Sequence, residues 1–123
     1  MQFLYNIGIG LYGLSIRIAS LFSAKASDFI KGRKDWQKKY QPLAYKLQPR
    51  IWLHAASLGE MEQGVPILKQ LQQSLPEHQF VISFFSPSGF NNFKQRELAK
   101  HIIYLPLDSP NNAKRFVEIL QPD

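Results

Sequence analysis

A chain of 123 residues with a formal net charge of +6 and no cysteine holds one small domain at most. Disulfide scaffolds and thiolate metal sites are excluded. Eight basic side chains crowd residues 25–50 against Asp28 and Asp35, whereas residues 51–123 are nearly balanced. A nucleic-acid partner, which calls for basic residues spread over a folded surface, is therefore not expected.

Residues 3–22 (FLYNIGIGLYGLSIRIASLF) form a near-continuous apolar run. A helix of that length reaches about 30 Å, the thickness of a bilayer core. Residues 1–24 are therefore expected to be a membrane-anchor helix. Gly8, Gly10 and Gly13 suit such a helix, and Arg17 near its end can snorkel to the headgroups. A helix lying in the membrane plane is the rival reading, favoured by Arg17. A cleaved signal peptide is disfavoured, because no positive charge precedes the run and no small-residue cleavage site follows it. Residues 25–50 then read as a basic juxtamembrane linker, which places the rest of the chain on the cytoplasmic side. Each basic residue near anionic headgroups contributes about 1 kcal/mol of attraction. Trp36 reads as an interfacial anchor.

From residue 51 the pattern is that of a parallel α/β domain. Residues 51–56 (IWLHAA), 79–85 (QFVISFF) and 102–105 are short apolar runs, expected as buried strands. Met61, Val65, Leu68, Leu71 and Leu75 recur at helical spacing, with Pro66 expected to kink or delay the helix. Residues 90–100 are expected to be helical, with Phe90, Phe93 and Leu98 inward. Ser109 and Pro110 mark the cap and first position of another helix, whose apolar face is Ala113, Phe116, Val117 and Leu120. The order βαβαβα implies a partial doubly wound parallel sheet, so residues 51–123 are expected to be a truncated α/β domain.

Ligands of such sheets bind at the C-terminal ends of the strands. The loop Ser57-Leu58-Gly59-Glu60 follows the first strand. Gly59 permits close backbone approach, and Glu60 stands at a helix N-terminus, where the dipole favours a carboxylate. Glu60 can accept a proton there. Ser57-x-x-Glu60 is equally a capping box, and the motif alone leaves both roles open. His54 reads as a packed or hydrogen-bonded core residue, Lys94 and Arg96 as a solvated helix face, and His78 and His101 as surface loop residues.

The stretch HAASLGEMEQGVPILKQL (54–71) resembles the hallmark of the Kdo (3-deoxy-D-manno-octulosonic acid) transferases, in which a strand enters a Ser-x-Gly-Glu loop. Phe84 to Gly89 resembles that family's Thr-Pro-Thr-Gly turn, with serine for threonine. Tyr104 to Pro110 resembles its Tyr-Leu-Pro-x-Asp-x-Pro segment, and Lys31-Gly32-Arg33-Lys34 its basic linker after an N-terminal anchor. The resemblance implies the first half of the N-terminal, acceptor-binding domain of a two-domain GT-B glycosyltransferase. It implies inverting transfer of Kdo from CMP-Kdo to a lipid A precursor, in lipopolysaccharide synthesis, with Glu60 as general base. Ser57, Gly59, Ser86, Ser88 and Gly89 would line the acceptor side. No metal or cofactor is implied; CMP-Kdo is the donor substrate. Membrane lipids are implied as partners, at the cytoplasmic face of the bacterial inner membrane. The chain alone, lacking a donor domain, is expected to be inactive.

The alternative reading is a non-catalytic, membrane-tethered acceptor-binding module or remnant. A dinucleotide or nucleotide-sugar enzyme of another kind is disfavoured, because the first loop carries neither Gly-x-Gly-x-x-Gly nor Gly-x-x-x-x-Gly-Lys.

Overall fold

Three short runs of apolar residues build the sheet. In the computed structural model, which describes residues 1–123, they are β1 (Arg50–Ala55), β2 (Gln79–Phe84) and β3 (His101–Tyr104). All pair in parallel in the order β1-β2-β3, with Arg50 opposite Gln79 and Ile82 opposite Ile102. Parallel strands are buried on both faces, which is why β2 reads as a continuous apolar run. Val81 and Ile103 point to one face; Phe80, Ile82 and Phe84 point to the other.

On the second face lie α4 (Leu58–Ser74) and α5 (Pro87–Lys94), which bury Met61, Leu68 and Phe93 against the sheet. Pro66 sits inside α4 without ending it. The first face is covered by α6 (Pro110–Leu120) and by the segment preceding β1. Phe116, Ile119 and Leu120 form the buried stripe of α6. Ala113 and Val117, expected inward, are exposed. The helix expected over 90–100 instead starts at Pro87 and stops at Lys94, and Glu97 follows in the left-handed region at φ 51°. A non-glycine residue there interrupts a right-handed helix.

The segment 25–50, read from its charge as a linker, is folded. It forms α2 (Ala24–Arg33), α3 (Trp36–Tyr40) and a 3-10 turn, Gln41–Ala44. Phe29, Trp36, Tyr40 and Leu43 are buried. Trp36 packs on Tyr40 and Phe116, with ring centroids 6.1 and 6.0 Å apart, so it is a core residue and not an interfacial anchor. The lysines point outward, which accounts for a charge profile that hides an amphipathic pattern.

Arg33 fastens this layer to the strand ends. Its guanidinium donates to the carbonyls of Leu105 (2.8 Å), Phe85 (2.7 Å) and Phe29 (3.2 Å). It stacks 3.6 Å from the Phe29 ring centre. Burial brings its pKa down to about 10, so it remains a cation. Beside it, Gly32 lies flat on the Tyr104 ring, where a Cβ would come within 2.3 Å.

The apolar N-terminal run folds as α1 (Gln2–Ala19), 18 residues long. No helix of the structure is long and apolar enough to cross a membrane. At 1.5 Å per residue α1 reaches roughly 27 Å, and Asn6, Ser15 and Arg17 dilute it. Leu4, Ile7, Leu11, Leu14 and Ile18 form an exposed stripe at alternating steps of three and four. The opposite side touches the body: Tyr5 donates to Asp108, and Tyr12 packs on Phe29 and Phe85.

At the far end of the sheet, Asp123 lies beside the free edge of β1. Its N–H donates to the Arg50 carbonyl (2.9 Å), and its carboxylate accepts from the Arg50 N–H (2.7 Å) and pairs with Lys46.

Candidate active site

Each strand of the sheet ends in a loop that starts a helix, and a serine caps each helix. Ser57, Ser86 and Ser109 are the N-caps of α4, α5 and α6, and each side chain accepts a backbone N–H three residues on. Serine satisfies donors that the first helical turn leaves unpaired. The three helix N-termini therefore gather along one rim, where their dipoles favour negative charge.

The first two loops touch. The Ser86 N–H donates to the Ala56 carbonyl at 2.9 Å. Gly89 is buried, and a Cβ there would meet Phe84 at 2.6 Å and the Leu58 nitrogen at 3.1 Å. Gly89 thus joins the loops and offers little surface of its own. Gly59 differs: it is exposed, and nothing lies within 4 Å of a Cβ built on it. Its bare backbone faces open space beside Glu60. Ser57 and Ser86 are half-buried, Ser88 is exposed, and the two hydroxyls of Ser86 and Ser88 stand 3.5 Å apart.

Glu60 occupies the third position of α4. The Glu60 N–H donates to Ser57 Oγ at 3.4 Å, and Glu60 Oε2 accepts from the Ala56 N–H at 2.6 Å. The carboxylate therefore reaches one residue beyond the usual capping-box partner. Oε1 has no protein partner and the side chain is exposed, so one oxygen is held and the other is free to accept. The capping role and the proton-accepting role are compatible in this geometry.

His54, the penultimate residue of β1, is exposed and not packed in the core, but it is hydrogen-bonded, as one form of the expectation had it. Its Nδ1 lies 2.9 Å from the buried Ser83 hydroxyl. Burial lowers its pKa; the Ser83 backbone and then Glu60 partly oppose the shift. Arg96, just past the end of α5, pairs with Glu62 of α4, and Lys94 lies over the Phe90 ring at 5.5 Å. No cluster of three His, Asp or Glu side chains is placed to hold a metal ion. A pocket of about 260 Å³ between α1, α2 and the β3–α6 loop brings Arg17, Arg33 and Lys34 to apolar walls made by Ile16, Ile30 and Leu107.

A parallel α/β domain with an oriented carboxylate on its first strand-to-helix loop has the build of a glycosyltransferase N-terminal domain. The sequence profile described as 3-Deoxy-D-manno-octulosonic-acid transferase (kdotransferase) matches residues 30–123. The chain belongs to this family of Kdo transferases. It is similar to the 3-deoxy-D-manno-octulosonic acid transferase of Aquifex aeolicus, with 37% identity over 58% of this chain and 20% of the relative. The enzyme of the same description from Haemophilus influenzae is 38% identical over 58% of this chain and 17% of the relative. That of Chlamydia trachomatis serovar D is 32% identical over 61% and 18%. The chain thus spans about one fifth of the length of these curated relatives.

Proposed function

We propose that this chain is the acceptor-side part of an enzyme that transfers Kdo from CMP-Kdo to a lipid A precursor. The observation that carries the reading is Glu60: one carboxylate oxygen is fixed by the Ala56 N–H and the other faces open space beside Gly59. Glu60 Oε1 takes the proton of an acceptor hydroxyl as that oxygen attacks the anomeric carbon of Kdo. The bond from that carbon to the CMP phosphate breaks, and CMP leaves with the bonding pair. Attack opposite the leaving group inverts the anomeric centre. Ser57, Gly59, Ser86 and Ser88 line the acceptor side, with Gly89 holding the two loops together.

The acceptor is a lipid, so the site must work at a membrane surface. The exposed stripe of α1 supports an in-plane helix: a one-sided apolar face, Arg17 near its end and the basic side chains of α2 and α3 behind it. The cytoplasmic face of the inner membrane is the location this reading assigns.

Glu60→Gln in the full-length protein tests the proposal. Loss of general-base assistance should lower turnover by about 10²–10⁴-fold. The amide oxygen can still accept from Ala56, so thermal stability should stay within about 0.5 kcal/mol. Ser57→Ala is the complement: it removes the cap, costing about 1 kcal/mol, and leaves the carboxylate in place. Near-normal turnover by a folded Glu60→Gln protein would remove Glu60 from the mechanism.

A further inference from the structure

Three side chains on the α6 face of the sheet, toward the C-terminal ends of β1 and β2, form a directed hydrogen-bond chain. Trp52 Nε1 lies 2.8 Å from Ser83 Oγ, and Ser83 Oγ lies 2.9 Å from His54 Nδ1. An indole N–H can only donate, so Ser83 accepts from Trp52. Ser83 is fully buried, and the one remaining partner for its own hydrogen is His54 Nδ1. A buried hydroxyl hydrogen left unpaired is costly, so Ser83 donates to His54. Nδ1 is then an acceptor, and the neutral ring carries its proton on Nε2.

Nε2 has no partner in the protein, and His54 is exposed. The ring is held by the Ser83 bond and by Trp52, whose ring centroid is 6.4 Å away. His54 precedes the Ser57–Glu60 loop on the same strand, and Glu60 is close enough to act electrostatically on the imidazole. The strand end therefore carries a fixed neutral donor beside a fixed carboxylate. An anion bound to the donor would be repelled by Glu60. A neutral oxygen would not.

We propose that His54 binds the acceptor sugar, its Nε2–H donating to an uncharged sugar oxygen beside the hydroxyl that Glu60 deprotonates. This rests on the function proposed above and adds a residue that orients the acceptor. Trp52 and Ser83 are positioning residues: they set which nitrogen carries the proton.

Two measurements test it. Imidazole ¹⁵N shifts of the protein labelled with [¹⁵N]histidine, assigned with His54→Phe, should show the Nε2–H tautomer at His54, and Ser83→Ala should give a tautomer mixture. An Nδ1–H ring in the unaltered protein would overturn the proposal. Kinetics of the full-length protein form the second test. His54→Phe keeps an aromatic ring beside Trp52 without the donor and should raise the KM for the lipid A precursor about 3- to 10-fold, the worth of one neutral hydrogen bond. The KM for CMP-Kdo should stay within about two-fold. His54→Gln, whose amide N–H replaces Nε2–H, should recover most of the loss. An unchanged acceptor KM in His54→Phe, or no recovery in His54→Gln, would overturn the proposal even with Glu60 confirmed. Absence of Kdo transfer by the unaltered protein would instead overturn the function on which it rests.

Discussion

Replacing Arg33 should destabilise this protein far more than replacing any neighbouring lysine. Arg33 is 9% exposed and serves three carbonyls, one on its own helix and two just past the ends of β2 and β3. In Arg33→Met all three lose their donor. A buried carbonyl left unpaired costs roughly 1–3 kcal/mol. The Leu105 and Phe85 bonds are only partly buried, so water can replace part of what is lost there. Arg33 also pays for its own burial, as its lowered pKa records. The net loss is therefore estimated at about 2–4 kcal/mol, well below the sum of three separate bonds. Arg33→Lys should lose most of the same amount, because one ammonium on a flexible stem cannot satisfy three carbonyls in a plane. For a chain of this size, 2–4 kcal/mol corresponds to a fall in Tm of roughly 10 °C. Lys38, exposed on α3, provides the control: Lys38→Met should change stability by less than about 0.5 kcal/mol. Urea and thermal denaturation followed by circular dichroism measure all three variants. If Arg33→Lys and Arg33→Met both behave like Lys38→Met, the clamp is ornamental and residues 25–50 act as the linker their charge suggests.

Gly32→Ala should also destabilise, by about 1–3 kcal/mol, since the buried Tyr104 ring must move to admit a methyl group; thermal melts beside Gly10→Ala, at a site with open space, give the comparison. Removing residues 1–22 should abolish binding to anionic vesicles in flotation assays, and retention at high salt by the shortened protein would show that the apolar stripe is not the attachment. Stability should fall as pH drops below 6.5, because burial holds the His54 and His101 pKa values below that unfolded-state figure. The unfolded chain then binds more protons than the folded one. His101→Gln should flatten that decline in melts between about pH 7 and 5, and an unchanged slope would refute the assignment.

The sheet was legible because parallel strands announce themselves: each expected strand matches the structure to within a residue or so at either end. The serine cap followed by proline was equally plain at Ser109, whereas the same pair at Ser86 and Pro87 opens a helix that was expected to start only at residue 90. The segment 25–50 was misread because net charge dominated the reading. Phe29, Trp36, Tyr40 and Leu43 recur at steps of seven, four and three, and that helical spacing was the signal to follow. On α6, Val117 and Ile119 are equally apolar, and only the packing against Trp36 and Tyr40 decides which is buried. His54 could not have been placed from sequence. Its exposure depends on how far the helices of the first face extend along β1, which no local pattern records. Nor could the reach of Glu60 to Ala56 be foreseen, since the capping box directs attention to Ser57.

Trimming this protein for work without detergent is constrained by the Arg33 clamp. A border at residue 50, where the charge profile changes, would strip Phe29, Trp36, Tyr40 and Leu43 from the interior and leave the Phe85 and Leu105 carbonyls bare. A soluble version must start no later than Ser23, the cap of α2. The contacts of Tyr5 with Asp108 and of Tyr12 with Phe29 and Phe85 make the proposed membrane-facing helix and the strand-end loops parts of one mechanical body. On that reading the bilayer plane is a reference surface, and the height of Glu60 above it is set by the protein's own framework and not by a flexible tether.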